Sequence, residues 1–181
     1  MALLHYPVLN KRGEVVASAV TNLDIHDIAR AARTYGAKRY YIVTPLADQA
    51  RLTQRIVSYW TEGAGAEYNP QRAEALSLVT VEKDLDAVRE DILRSGGKAP
   101  LVVMTSARHR NDAAGFPFVR RLLTKNSLLV AFGTAWGLEE GFLAGADFIL
   151  EPVQEKSDYN HLSVRSAVSI ILDRLIRSDI L

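Results

Sequence analysis

The sequence predicts an α/β sandwich, a mostly parallel β-sheet covered by helices on both faces. Three observations carry this. Short runs such as residues 39–43, 101–104 and 128–132 are apolar along nearly their whole length, as strands buried on both faces must be. Amphipathic stretches of helical period lie between them and supply the crossovers that parallel strands need. Glycine or proline punctuates most of the junctions.

Residues 3–9 read as a strand, Asn10-Lys11-Arg12-Gly13 as a turn, and residues 15–20 as a second extended run able to pair with the first. Residues 24–35 read as a helix. Ile25, Ile28, Ala29 and Ala32 share one face, Asp24 can cap the start and Gly36 ends it. A strand at 39–43 stops at Pro45. A helix follows at 46–60, then a loop at 62–70 marked by Gly63, Gly65 and Pro70. A strand at 76–81 precedes a helix at 85–93 closed by Gly96-Gly97. Residues 101–104 form the next strand, 108–115 a polar loop, and 119–123 a helix. The chain then gives a strand at 128–132, a short helix at 138–143 and a last strand at 148–150. The long helix at 161–177 has an apolar face that includes Val164, Val168, Ile171 and Leu175. Ligands of such sheets sit beyond the carboxyl ends of the strands. The loops after Val43, Met104, Phe132 and Leu150 are therefore the candidate site.

The 181 residues fit one domain, 1–181. With 48% hydrophobic and 24% charged residues, the composition is that of an ordinary globular protein. The absence of cysteine excludes disulfides, thiolate nucleophiles and cysteine-based metal centres. No apolar run approaches the roughly 20 residues of a membrane span. The opening Met1-Ala2-Leu3-Leu4-His5-Tyr6 lacks a basic stretch followed by an apolar core, so a cytoplasmic protein without membrane partners is expected. The net charge of +1 does not announce a nucleic-acid binder. Local clusters do better: Arg108-His109-Arg110, then Arg120, Arg121 and Lys125, and the helix face of His26, Arg30 and Arg33 can each meet phosphates.

Common nucleotide and metal motifs are missing. Gly97-Lys98 is followed by Ala99, and Ile92 stands where a phosphate-binding loop begins with glycine. No G-x-G-x-x-G follows a strand, and the four histidines are scattered, so no metal is expected. What remains is Phe132-Gly133-Thr134-Ala135-Trp136-Gly137-Leu138 after one strand, and Leu150-Glu151-Pro152-Val153 after the next. Glycine lets backbone approach a ligand closely, and Pro152 stiffens the second loop. These two loops, with the helix entry Asn160-His161-Leu162-Ser163-Val164, can hold an adenosine by backbone hydrogen bonds.

The same loops carry a resemblance. Asn22 precedes a helix bearing Arg30 that ends in Tyr35-Gly36, and this is similar to the first motif of the SPOUT superfamily of RNA methyltransferases. Residues 132–138 resemble its second motif. Ile149-Leu150-Glu151-Pro152-Val153, continuing to Asn160-His161-Leu162-Ser163-Val164-Arg165-Ser166-Ala167, resembles the third. Order and spacing match across nearly the whole chain. The opening Leu4-His5-Tyr6-Pro7-Val8-Leu9-Asn10 and Tyr68-Asn69-Pro70 resemble a small bacterial SPOUT family.

The resemblance implies a deep C-terminal trefoil knot, about residues 100–175, against the usual rarity of knots. It implies a homodimer acting on tRNA or rRNA, with S-adenosyl-L-methionine as cofactor. The cofactor loops comprise Thr105; Phe132, Gly133, Thr134, Trp136 and Gly137; Leu150, Pro152 and Val153; and His161, Leu162 and Ser163. A bulky residue at Gly133 is expected to block the cofactor and leave the fold intact. Trp136 either stacks near the cofactor or packs in the core. Arg30 is the first candidate beside the target nucleotide, gripping a phosphate or activating the acceptor; its plain alternative is a surface pair with Asp27. Asn22 either orients Arg30 or a phosphate, or merely opens the helix. Asp158 is a candidate general base or a helix cap. Arg33, Arg108, Arg110 and Asn160 are candidate RNA contacts. The apolar face of the last helix, with Ile170, Leu172 and Ile176 beside it, exceeds what one buried face needs and points to a dimer.

Ala135 stands where ribose methyltransferases of the superfamily carry Glu, and His161 interrupts the common form of the third motif. A base nitrogen is therefore as open a target as a ribose hydroxyl. Two other functions remain open: a regulatory module that binds S-adenosylmethionine without transfer, and a methyltransferase for a small nucleotide-like substrate.

Overall fold

The computed structural model describes residues 1–153 and 159–177. In chain order the strands are β1 (Ala2–Leu4), β2 (Val8–Leu9), β3 (Val15–Val16), β4 (Tyr40–Val43), β5 (Val79–Glu82), β6 (Leu101–Thr105), β7 (Leu128–Gly133) and β8 (Phe148–Leu150). The helices are α1 (Asn22–Thr34), α2 (Ala47–Thr61), α3 (Ala64–Tyr68), α4 (Pro70–Leu76), α5 (Leu85–Arg94), α6 (Phe116–Leu123), α7 (Glu140–Leu143) and α8 (Val164–Ile176). The main sheet runs β5-β4-β1-β7-β6-β8, and every pairing in it is parallel.

Alternation along the strands divides the core in two. Leu3, Tyr40, Ile42, Val103, Val130 and Phe132 face one side, where Ile25, Ile28, Leu76, Val119, Val168 and Ile171 of the helices pack on them. Ala2, Leu4, Tyr41, Val43, Val102 and Met104 face the other, against Leu85, Val88 and Leu143. The two buried tyrosines each find a partner for the hydroxyl, as burial demands. Tyr40 donates to the Asp24 carbonyl at 3.3 Å and Tyr41 to Asp91 at 2.8 Å.

Several expected boundaries shift, each for a local reason. The run at 3–9 is two strands, because Pro7 cannot donate to a ladder. After it, Val8–Leu9 leaves the main sheet to pair antiparallel with Val15–Val16. The intervening turn is closed by Asn10, whose side chain accepts from the backbone N–H groups of Arg12 and Glu14. Thr21, rather than Asp24, caps α1: its hydroxyl accepts from Asp24 N at 3.1 Å and donates to the Asp24 carboxylate at 2.7 Å. The expected loop at 62–70 holds α3 and the start of α4. Asn69 caps α4 through Arg72 N, and Pro70 takes the first helical position, where no N–H is needed. The strand expected at 76 therefore starts at Val79. The last helix starts at Val164, capped by Ser163, so His161 and Leu162 lie outside it.

Candidate active site

Register brings Leu4 beside Gly133, and Thr105 beside Leu150, at the carboxyl edge of the sheet. Beyond that edge lies a cleft of about 800 Å³, a size typical of a cofactor site. Most of its walls come from four segments, the stretch before α1, the loop after β6, the loop after β7 and the entry to α8, with Glu140 and Leu143 of α7 and Val153 completing them.

The loop after β7 is a tight, anchored turn. A Cβ on Gly133 would stand 2.7 Å from the Leu138 side chain, so only glycine lets the loop fold back this closely. Ala135 (φ 52°) and Gly137 (φ 98°) occupy the left-handed region, and Gly137 N donates to the Thr134 carbonyl. The small sheet clamps the turn from outside. Trp136 N donates to Leu9 O at 3.0 Å, Leu9 N to Gly137 O at 2.9 Å, and Glu139 N to Pro7 O at 3.2 Å.

At one side of the cleft Thr134 donates to the Leu4 carbonyl at 3.1 Å and shares a 2.6 Å hydrogen bond with Ser18. Ser18 in turn meets Nδ1 of His5 at 2.9 Å. His5 is fully buried. Burial lowers its pKa to about 4, with the Asp24 carboxylate and the Ala19 backbone offsetting only part of the desolvation. It is neutral near pH 7, and so weak a base is unsuited to taking a proton from an acceptor.

Opposite, the loop after β6 is tied to the α8 entry, where the Asn160 amide donates to the Ala107 carbonyl at 2.9 Å. It is also tied to α7. Glu140 receives Arg108 at 3.3 Å on one carboxylate oxygen and Arg110 at 2.6 Å on the other, while Arg110 also holds Asp112 at 3.0 Å. Below the mouth Arg165 of α8 reaches Asp24 at 3.2 Å and Asp27 at 3.4 Å on α1. Asp24 is only 6% exposed, so this pair and the Thr21 hydroxyl are what satisfy its carboxylate.

Of the residues expected at the cofactor, Thr105, Phe132, Gly133, Thr134, Trp136, Gly137, Val153, His161, Leu162 and Ser163 line the cleft. Leu150 and Pro152 are buried and are not among its lining residues. Trp136 is not a core residue: it is 54% exposed. Among the expected RNA contacts, Arg108 and Asn160 line the cleft, and Arg110 touches it through Glu140. Arg33 lies apart, paired with Glu74 of α4. Arg30 and Asn22 are exposed on α1 and do not line this cleft. The pair of Arg30 with Asp27 does not form; Asp27 pairs with Arg165. Asp158 lies outside the described residues.

Sequence reasoning passed over Ser18, Asp24, Glu140 and Arg165, all of which line the cleft. Arg165 and Asp24 are 141 positions apart, and Ser18 and Thr134 are 116 apart. Only the expectation that a buried carboxylate has a cationic partner can flag such a pair in advance. Among the described residues no group of three or more His, Asp or Glu is placed to hold a metal ion, and no helix is long and apolar enough to cross a membrane.

Comparison with known proteins fits this geometry. A family described as SAM-dependent RNA methyltransferase matches residues 1–177. A tRNA (guanine-N(1)-)-methyltransferase of Oleidesulfovibrio alaskensis is 46% identical over 175 residues, which is 97% of this chain and 41% of that protein. An uncharacterized protein of Aquifex aeolicus is 42% identical over 177 residues, covering 97% of this chain and 86% of its own length. The chain thus spans about two fifths of the tRNA methyltransferase and most of the Aquifex protein. Among solved structures, the SpoU methyltransferase AviRb of Streptomyces viridochromogenes, in complex with AdoMet, superposes with a TM-score of 0.57 at 17% identity, over 98% of this chain and 59% of that one. A putative methylase family protein of Neisseria gonorrhoeae gives 0.64 at 16% identity, over 98% and 80%. At these identities the likeness is one of fold, and that fold agrees with the SPOUT resemblance of the three loops. With residues 1–177 matched to the family, this chain belongs to the SAM-dependent RNA methyltransferases.

Proposed function

We propose that the cleft binds S-adenosylmethionine and that the protein transfers its methyl group to a nucleotide of tRNA or rRNA. The observation that carries this is the pinned turn at 133–138, facing the α8 entry across a cleft of cofactor size. The residues present fit such a ligand. The turn brings backbone close, Ser18 and Thr134 offer hydroxyl oxygens, and Phe132, Leu138 and Ile171 give apolar wall. The bound cofactor supplies an electrophilic methyl on a sulfonium, which an N or O nucleophile takes by in-line displacement as S-adenosylhomocysteine departs. The protein aligns donor and acceptor and removes the acceptor's proton where there is one. Asp158, just before α8, is the proposed proton acceptor, a role that the low basicity of His5 leaves open.

The name of the tRNA (guanine-N(1)-)-methyltransferases supports tRNA as the RNA class. It belongs to proteins of which three fifths lie outside the match, so guanine N1 is not assigned to this chain.

A trefoil knot in residues 100–175 is part of the proposal. It is supported by the parallel order β7-β6-β8 and by the loop after β6 lying against both Leu150 and Asn160. So is a homodimer. Arg30, exposed and outside its own chain's cleft, then serves the acceptor in the site of the partner subunit, with Asn22 at the start of the same helix. Calorimetry with S-adenosylmethionine and S-adenosylhomocysteine tests the cofactor half. Binding of both is expected, and silence from folded protein with both ligands refutes it.

A further inference from the structure

We infer that the lip of the cleft is a binding platform for one unpaired RNA nucleotide, with Trp136 stacking its base and Arg108 taking its phosphate from Glu140. This rests on the reading of the cleft as an RNA methyltransferase site and adds where the acceptor strand lies.

The indole is the first observation. Trp136 lines the cleft yet is 54% exposed, costly for so large an apolar group. The backbone at Trp136 and Gly137 is anchored, so the chain that carries the indole has a set place at the cleft. Trp136 N and Gly137 O are both bonded to Leu9, and Gly137 N closes the turn on Thr134. Ala135 ahead of it holds φ 52°, a conformation a non-glycine residue adopts only when its surroundings impose it. A ring carried on an already ordered turn spares the backbone part of the ordering cost when a base stacks on it.

The second observation is the arginine pair on the opposite loop. Arg108 and Glu140 both line the cleft, with side chains 62% and 50% exposed. An exposed pair of this kind is weak and easily exchanged. A phosphate offers the same two-oxygen geometry that the guanidinium fork accepts. Exchange strands no charge, because Glu140 keeps Arg110 on its other oxygen at 2.6 Å, and Arg110 also holds Asp112. Glu140 therefore holds in the free protein the guanidinium that a backbone phosphate engages when RNA binds.

The test uses the 181-residue chain carrying Trp60→Phe, which leaves Trp136 as its one indole. A short mixed-sequence RNA oligonucleotide is titrated in the presence of S-adenosylhomocysteine, following tryptophan fluorescence. Quenching by RNA is expected. In parallel, Trp136→Ala should weaken RNA binding roughly 5- to 100-fold, a larger factor than any loss of S-adenosylhomocysteine affinity seen by calorimetry. Glu140→Gln should tighten RNA binding and steepen the dependence of log K on log salt by about 0.7, because Arg108 then starts free. The proposal is overturned if RNA fails to quench, or if Trp136→Ala loses S-adenosylhomocysteine affinity while RNA affinity holds, which assigns the indole to the cofactor. A protein that quenches with RNA but binds neither S-adenosylmethionine nor S-adenosylhomocysteine refutes the proposed activity and leaves the platform standing.

Discussion

Gly133 has no room for a β-carbon: one built there lies 2.7 Å from Leu138 Cγ and 3.1 Å from Leu138 N. Leu138 is buried and bridged to Val8, so neither atom can yield cheaply. Gly133→Ala should cost about 1–3 kcal/mol in urea unfolding, the usual range for overpacking, and an unchanged midpoint would contradict the packing described. The sequence-based expectation that a bulky residue here leaves the fold intact is corrected by the same contact. His5 gives the second residue-scale prediction. Its folded pKa, about 4, lies below the 6.5 of an exposed histidine. The unfolded chain therefore binds the proton first as pH falls. The stabilisation is complete above about pH 6.5 and is lost towards about pH 4. At about 1.4 kcal/mol per pH unit this is on the order of 3 kcal/mol. His5→Asn should flatten the fall in melting temperature over that window, and parallel acid profiles for the two proteins would exclude His5 as its source.

At the scale of elements, α1 and α8 are joined at the cleft wall by Arg165, which holds Asp24 and Asp27 together. Arg165→Ala leaves the buried Asp24 carboxylate with the Thr21 hydroxyl but no cation. The cost should be roughly 1–3 kcal/mol, below that of a fully buried pair because Arg165 is about a third exposed. Arg165→Lys should recover only part of it, since an ammonium cannot fork to both carboxylates. Denaturation of the three proteins decides this, and a loss under about 0.5 kcal/mol for the alanine variant would mark an ordinary surface pair. Such links show why the site was only partly legible. The strands were readable because parallel strands are apolar on both faces, and the cleft loop after β7 because Gly133 and Gly137 punctuate it. Gly63 does mark the break between α2 and α3, but Gly65 misled: it read as loop, whereas it is where α3 packs tightly on Tyr59 and Trp60. The expected cap, Asp24, is instead a first-turn residue whose carboxylate takes the Thr21 hydroxyl and Arg165 from across the chain. Pairings over 116 or 141 positions leave no local pattern to read.

For the whole molecule the open quantity is the assembly. Leu172, counted in the sequence with Ile170 and Ile176 as excess apolar surface, is buried in the chain's own core. Phe118 of α6 and Ile176 of α8 remain exposed on helices that pack together. A dimer is still predicted, because the exposed Arg30 has no cleft of its own to serve. Sedimentation equilibrium should give twice the 20.0 kDa chain mass at micromolar concentration, and a lone monomer would remove the shared site. In the dimer Arg30→Ala should lower transfer roughly a hundredfold or more, as loss of a cationic contact in a transition state does, with cofactor affinity retained. Wild-type rates would take Arg30 out of the active site.

The central claim, methyl transfer from S-adenosylmethionine to RNA, is met most directly by nucleoside mass spectrometry. RNA from cells lacking the gene should lack one methylated nucleoside present in the parent, and purified protein with S-adenosylmethionine should restore it in that RNA. Identical nucleoside profiles with and without the gene, together with no methyl incorporation by a protein that binds the cofactor, would contradict the account.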